Sequence, residues 1–271
     1  LPISTKVFGF ANESNLYLAE IALMQGDYTT AADVAALLLE SDASESVLLE
    51  SERIMGESMF MLEQYEDAFQ FLSSYVMSSD AVERQDLYYL GVAAYMSKDY
   101  DAAVEYLPQV TGGQDVMSQN ALLYEGMAYL KKNDKVKARL AFEQASSMPG
   151  NDKIREQALY NYALIIHETS YSPFAESVTV FERFLNEYPK SKYADNVNSY
   201  LLDVYMNTTS YDAALASIAK INNPGRSILE AKQQLLYKKA MDLYANAKYA
   251  DAATMFGSAI EYMDLNRSLA T

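Results

Sequence analysis

The sequence contains no cysteine, no tryptophan and a single histidine, His167. Without thiols the chain can form no disulfide, thiolate zinc site or cysteine nucleophile. One histidine cannot supply the multi-histidine ligand sets of catalytic zinc sites, and no nucleophile-elbow motif accompanies it. Glycine loops for phosphate and acidic loops for calcium are also missing. We therefore expect no metal, no cofactor and no catalytic activity, and we keep an enzyme only as a second alternative.

Basic residues are scarce. Lysine and arginine number 21 against 37 acidic residues, which gives a formal net charge of −16. A nucleic-acid partner is excluded, because phosphate binding requires clustered positive charge. The imbalance is concentrated in residues 1–90, which hold 16 acidic and 3 basic side chains. This acidic part is either a solvated surface or a docking face for a partner with a basic segment.

Long apolar runs are absent as well. No stretch approaches the roughly 18 apolar residues that span a bilayer, so we expect no transmembrane segment. No signal peptide is visible, but the chain begins with Leu1 and Pro2, and we expect it to be a piece of a longer protein.

The apolar residues that are present recur every three or four positions. "LYLAEIALM" (16–24), "ALLYEGMAYL" (121–130) and "LLYKKAMDLYA" (235–245) are examples of this spacing. It is typical of amphipathic helices, and short turn signals separate the helical stretches. The sequence therefore predicts an all-α fold.

A tyrosine followed three residues later by alanine recurs along the chain. The tyrosines are Tyr28, Tyr65, Tyr100, Tyr211 and Tyr249, and their gaps are 37, 35, 111 and 38 residues. Because 111 is three times 37, two further copies are expected between the third and fourth. One is residues 121–145, where Lys135 replaces the tyrosine. The other is residues 156–185, with about two extra residues around 171–173.

The repeats also keep a small residue nine positions before the tyrosine, for example Ala19, Gly56, Gly91 and Gly126. This pattern resembles the tetratricopeptide repeats, which pair two antiparallel helices. The resemblance implies a single solenoid over residues 1–271, wound as a right-handed superhelix of about seven hairpins. The expected hairpins cover residues 12–45, 49–80, 84–115, 119–150, 154–189, 194–224 and 228–264. Pro108 is expected to end or kink the second helix of the third hairpin near Glu105.

In this family the first helices of successive hairpins line a concave groove, and the resemblance implies that a partner binds there. The positions that this places in the groove are Arg53, Glu57, Phe60, Tyr88, Tyr95, Met127, Tyr160, His167, Tyr237, Met241 and Tyr244. Tyrosine and methionine suit an interface, although aromatic residues at helical spacing are also typical of a core. Tyr88 and Leu123 stand where carboxylate-clamping relatives have lysine, so we do not expect that clamp.

The segment "YPKSKYA" (188–194) is similar to links in repeat proteins of the bacterial cell envelope, among them the outer-membrane assembly lipoprotein and the coordinator of the Tol–Pal system. We expect Pro189 to stop one helix and Ser191 to cap the next. The resemblance favours a periplasmic or outer-membrane-associated location over the cytoplasm.

The sequence thus predicts a non-catalytic scaffold that binds a protein or peptide in its groove. The first alternative is a small-ligand or glycan-binding module of the cell envelope. Tyrosine-rich surfaces suit glycan binding, whereas the absence of tryptophan is unfavourable for it. The oligomeric state stays open.

Overall fold

The computed structural model describes residues 3–169, 177–262 and 264–265. Within these ranges every regular element is helical, with fourteen α-helices, one short 3-10 helix and no strand, which confirms the all-α prediction. The helices are α1 (Ile3–Met24), α2 (Tyr28–Leu39), α3 (Glu45–Met61), α4 (Tyr65–Ser78), α5 (Arg84–Met96), α6 (Tyr100–Tyr106), α7 (Val116–Lys131), α8 (Lys135–Ser147), α9 (Asp152–Thr169), α10 (Ser177–Glu187), α11 (Ala194–Asn207), α12 (Tyr211–Ile218), α13 (Arg226–Ala245) and α14 (Tyr249–Ile260). The extra residues expected around 171–173 lie outside the described part of the chain.

The chain forms two compact units, residues 1–155 and 156–271. In the first unit the helices pair in sequence order, α1 with α2, α3 with α4, α5 with α6 and α7 with α8. In the second unit α13 pairs with α14 in the same way, and the Tyr205 hydroxyl shares a 2.6 Å hydrogen bond with the Ser217 hydroxyl between α11 and α12.

In five hairpins the recurring tyrosine is the first residue of the second helix. Tyr28, Tyr65, Tyr100, Tyr211 and Tyr249 begin α2, α4, α6, α12 and α14, and Lys135 begins α8. The alanine three positions later is buried in each of these helices, as Ala31, Ala68, Ala103, Ala138, Ala214 and Ala252 show. The repeat in the sequence is therefore also a repeat in the structure at these six hairpins.

The turn before the second helix has one backbone form in five hairpins. The residue two positions before the helix adopts a positive φ, between 59° and 78°, at Gly26, Glu63, Lys98, Asn133 and Ala247. The next N–H reaches back five residues to a carbonyl near the end of the first helix, as from Asp27 to Ala22 at 2.9 Å. This left-handed ending satisfies carbonyls that the helix would otherwise leave free.

The small position of the first helix lets the second helix approach closely. At Gly56 a Cβ atom would lie 2.6 Å from Leu72 Cγ, far inside ordinary van der Waals contact. The same distance is 2.8 Å from Gly91 to Leu107 Cγ, and Phe142 occupies the corresponding space beside Gly126 at 2.7 Å. Glycine and a large buried side chain sixteen residues later therefore form one packing unit.

Two proline-containing segments shorten or separate helices. α6 ends at Tyr106 and continues as a 3-10 helix over Leu107–Gln109, which agrees with the expected effect of Pro108. After Pro189 the next helix begins at Ala194, but Ser191 is not its cap. Its hydroxyl accepts the Tyr193 N–H at 3.0 Å within the turn, and Tyr193 precedes the helix.

Candidate binding cleft

A cavity of about 500 Å³ opens in the first unit among α1, α3 and α5, the first helices of three successive hairpins. Its lining combines acidic, aromatic and methionine side chains: Glu20, Leu23, Met24, Tyr28, Glu50, Arg53, Glu57, Met61, Tyr75, Ala81, Glu83, Gln85, Asp86 and Tyr89. We call this feature the acidic cleft. Five carboxylates and one guanidinium give its lining a formal charge of −4.

Arg53 organises three of these carboxylates. Its Nε donates to Glu50 Oε2 at 2.8 Å, its Nη1 to Glu57 Oε1 at 2.9 Å, and its Nη2 to Glu20 Oε1 at 3.4 Å. Each nitrogen of the guanidinium therefore has a carboxylate oxygen as its partner, and α1 is tied to α3. An arginine occupied in this way has little capacity left to bind an anion.

Glu83 and Asp86 add acidity from the start of α5. Asp86 is 3% exposed, and one of its carboxylate oxygens accepts the Glu83 N–H at 2.8 Å. The Glu83 side chain accepts the Asp86 N–H in return, which completes a capping box at the first turn of the helix. Helix capping thus fixes two acidic residues at the wall of the cleft.

Burial sets the protonation behaviour of the cleft. Desolvation raises the pKa of Glu57 above its usual range, although the charge and hydrogen bond of Arg53 oppose the rise. Burial raises the pKa of Asp86 in the same way, against the Glu83 N–H and Arg53. Burial also works against the charge of Arg53, but Glu50 and Glu57 outweigh it and raise the pKa of the guanidinium.

Apolar and aromatic groups complete the walls. Met24 and Met61 are exposed, whereas Tyr75 is 2% exposed and its hydroxyl donates to the Ala81 carbonyl at 3.4 Å. The half-buried Tyr89 ring lies 4.7 Å from that of Phe60. A ligand in the cleft would thus meet carboxylates together with aromatic faces and flexible thioethers.

The other residues expected in the groove of the first unit form an aromatic layer beside the cleft. Phe60, Tyr88 and Tyr95 are half-buried and pack against the apolar core around Val92 and Ala121. The Tyr88 hydroxyl accepts from Asn120 Nδ2 at 2.6 Å. Tyr95 donates to Met127 Sδ at 3.9 Å and packs on Tyr124 with ring centroids 5.3 Å apart. These side chains are therefore partly buried in the core and partly accessible to solvent.

In the second unit the expected groove residues make contacts in several different aromatic pairs. Tyr160 stacks on Tyr193 with ring centroids 4.1 Å apart. The His167 ring packs against Phe181 at 5.6 Å, and its Nδ1 has no hydrogen-bond partner among the described residues.

The last three expected residues lie at the final hairpin. Tyr237 packs edge-on against Phe256 at 5.7 Å. Met241 and Tyr244 are 46% and 57% exposed, and Tyr244 contacts Tyr249 edge-on. A cavity of about 350 Å³ in this unit is lined by residues that include Asp212, Lys239 and Leu243, and none of these three expected residues lines it. Of the whole expected set, Arg53 and Glu57 line the acidic cleft.

Sequence reasoning missed several cleft residues. Glu50 lies one turn before Arg53 on α3, Glu83 and Asp86 lie at the beginning of α5, and Tyr75 lies on α4. Glu83 and Asp86 have the three-residue spacing of a capping box, but they replace the Ser or Thr and the Glu or Gln by which a capping box is usually recognised in a sequence.

The described residues offer neither a metal site nor a membrane span. No three acidic or histidine side chains there are placed to hold a metal ion together. None of the described helices combines the length and apolar character needed to cross a membrane.

One protein-family model matches the beginning of the chain. A tetratricopeptide-repeat family model matches residues 4–46, which span the first hairpin. No curated protein sequence matches significantly.

Two solved structures are similar in fold. The crystal structure of MamA protein superimposes with a TM-score of 0.54 at 20% identity, covering 69% of this chain and 96% of that one. A tetratricopeptide repeat protein from Parabacteroides merdae ATCC 43184 superimposes with a TM-score of 0.52 at 15% identity, covering 97% of this chain and 98% of that one. At these identities the likeness concerns the fold alone.

Proposed function

We propose that this tetratricopeptide-repeat chain is a non-catalytic scaffold that binds a protein or peptide, and that the acidic cleft receives a basic side chain of the partner. The observation that carries the proposal is the distribution of charge in the cleft, where five carboxylates and one guanidinium line an opening of about 500 Å³. Stacked helical hairpins suit this role because they present extended surfaces with little rearrangement.

The hydrogen bonds of Arg53 favour a cationic ligand over an anionic one. Arg53 uses Oε2 of Glu50 and Oε1 of Glu57 and Glu20, so each carboxylate keeps a second oxygen that Arg53 does not bind. Such preset carboxylate oxygens can accept from an ammonium or guanidinium group of a ligand. Because Arg53 already holds these carboxylate side chains in place, binding of a ligand would cost little additional side-chain entropy.

The walls of the cleft support the same ligand. Tyr28 and Tyr89 in the lining can contribute aromatic contacts to a cation, and Met24 and Met61 can contribute adaptable apolar contacts to its methylene stem. A lysine or arginine in an extended peptide therefore has partners for both its charge and its stem.

A binding assay with charge variants tests this proposal. Fluorescence anisotropy would compare labelled peptides from a lysine- and arginine-rich library with the same peptides carrying glutamine at those positions. We expect only the basic peptides to bind, and we expect Glu20→Gln with Glu83→Gln to weaken binding by about 1–2 kcal/mol.

Glu143→Gln is the matched control, because Glu143 is exposed on α8 of the same unit and does not line the cleft. Equal binding by the double variant and the control would overturn the assignment of the cleft. Equal binding of basic and neutral peptides would overturn the proposed ligand.

The proposal extends to a location in the bacterial cell envelope. Its support is the resemblance of the link at residues 188–194 to links in envelope repeat proteins. Fractionation of the source cells tests it, and recovery of the protein in the cytosolic fraction alone would contradict it.

A further inference from the structure

The turn between α7 and α8 concentrates positive charge in an otherwise acidic chain. Residues 131–139 hold five basic side chains and one acidic side chain, which gives a formal charge of +4. The corresponding residues of the three preceding hairpins carry formal charges of −1, −3 and −1 (24–32, 61–69 and 96–104). Lys131 and Lys137 are exposed, and Lys132 pairs with Asp101 of α6. The positive charge is therefore a feature of this hairpin and not of the repeat.

Two exposed aliphatic side chains accompany the positive charges. Val136 and Leu140 are 72% and 53% exposed, and they lie one turn apart on the same side of α8. The second helices of the two preceding hairpins carry exposed polar residues at these positions, namely Glu66, Gln70, Asp101 and Glu105. We call the surface formed by residues 131–140 the basic patch.

The acidic cleft has the complementary chemistry. Its lining carries a formal charge of −4, and Met24 and Met61 in that lining are 78% and 42% exposed. The lysines of the basic patch match the carboxylates of the cleft, and Val136 and Leu140 match its methionines. Complementary charge determines how two surfaces are oriented, and apolar contacts add favourable burial.

A contact between these two surfaces joins two molecules. The basic patch belongs to α7 and α8, whereas the cleft lies among α1, α3 and α5 of the same compact unit, so the patch cannot fold onto the cleft of its own chain. An anionic membrane is a poorer partner for the patch, because such a surface repels a chain with a net charge of −16.

We propose that the basic patch of one copy docks into the acidic cleft of a second copy of this chain. The inference rests on the proposed function, since it names the partner that supplies the basic side chain. Each copy carries both surfaces, so the association either closes reciprocally in a dimer or continues head to tail. In both arrangements every contact consists of one patch and one cleft.

Sedimentation velocity over a range of protein concentrations tests the inference. We expect the average mass of the wild-type chain to rise with concentration above the monomer value of 30.3 kDa, and to return to it with added salt. A patch variant, Lys131→Glu with Lys137→Glu, and a cleft variant, Glu20→Gln with Glu83→Gln, should each stay monomeric.

Lys190→Glu with Lys192→Glu is the matched control. It reverses two exposed lysines in the turn after α10, outside both surfaces, and changes the net charge by the same amount as the patch variant. The control chain should associate as the wild-type chain does.

Mixing the two monomeric variants tests whether patch and cleft contact each other. The patch variant keeps an intact cleft and the cleft variant keeps an intact patch, so the mixture should form a dimer and nothing larger. A mixture that stays monomeric, or a patch variant that associates like the control, would overturn the inference.

The peptide assay of the proposed function distinguishes the failure of the two proposals. A wild-type chain that stays monomeric at every concentration, yet binds basic peptides in its cleft, would overturn this inference alone. Basic peptides that bind the cleft variant as tightly as the wild-type chain would overturn the proposed function, and this inference with it.

Discussion

Alanine in place of Gly56 tests the packing that defines each hairpin. The new Cβ would lie 2.6 Å from Leu72 Cγ and 3.1 Å from the backbone nitrogen of Leu72. Ordinary contacts between carbon atoms are about 3.5–4 Å, so the methyl group lacks about 1 Å of space. Because a backbone atom is also among the neighbours, a change of the Leu72 rotamer relieves only part of the contact, and α3 must move away from α4 while the leucine is present.

Two opposing effects set the magnitude. Overpacking of a well-packed core costs about 1–3 kcal/mol, whereas replacing a glycine inside a helix with alanine stabilises by about 1 kcal/mol. Gly257 in α14 isolates the second effect, because nothing lies within 4 Å of the position that a methyl group there would take. Gly257→Ala should therefore raise the free energy of unfolding by about 1 kcal/mol above that of the wild type. The free energy of unfolding of Gly56→Ala should be lower than that of Gly257→Ala by about 1–3 kcal/mol.

Chemical denaturation followed by the helical circular dichroism signal measures both variants beside the wild type. A second substitution sharpens the test, because Leu72→Ala makes room for the new methyl group and recreates the small pair found at Ala19 and Ala35. The double variant should lose less stability than the two single changes added together. Equal stability of Gly56→Ala and Gly257→Ala would refute the close approach of the two helices.

Other predictions follow from the same structure. Ala103→Leu should lower the free energy of unfolding by about 1–3 kcal/mol through overpacking, as measured by urea denaturation. Ala247→Gly should raise it by about 1 kcal/mol, because the positive φ of 59° disfavours a residue with a side chain. Burial raises the pKa of Glu125 from 4.5 to about 7, so the folded state keeps its proton to higher pH than the unfolded state. The contribution of Glu125 to stability should therefore be greatest below pH 4.5 and should fall by about 1–3 kcal/mol as the pH rises to about 7. Glu125→Leu should remove that pH dependence, as denaturation curves at several pH values would measure. Tyr205→Phe should cost about 1–3 kcal/mol, because it removes a buried hydrogen bond to Ser217.

The fold could be predicted because most of the hairpins repeat one steric rule. Tyrosine at the start of the second helix, alanine three residues later and a small residue nine residues earlier each occupy one place in the packing. A rule of this kind is visible in residue types and spacing alone. The turn residues obey no such rule, because Glu63, Lys98 and Ala247 adopt a left-handed backbone without the glycine that usually signals it.

The acidic cleft could be predicted only in part. Arg53 and Glu57 lie on the first-helix rows that the repeat spacing places together, and both line the cavity. Glu83 and Asp86 reach it from a helix start, where capping determines the direction of the side chains. Spacing along first helices cannot show that three carboxylates converge on one guanidinium, since the convergence depends on the distances between neighbouring hairpins.

The most direct measurement of the central claim changes the charge of the ligand and leaves the protein unaltered. A lysine-containing peptide that binds in the library assay is titrated into the wild-type chain by calorimetry, beside the same peptide with its lysines acetylated, which keeps the stem and removes the charge. If the acidic cleft recognises a basic side chain, the unmodified peptide binds, binding weakens with added salt, and acetylation abolishes it. Equal affinity for the two peptides would contradict the account.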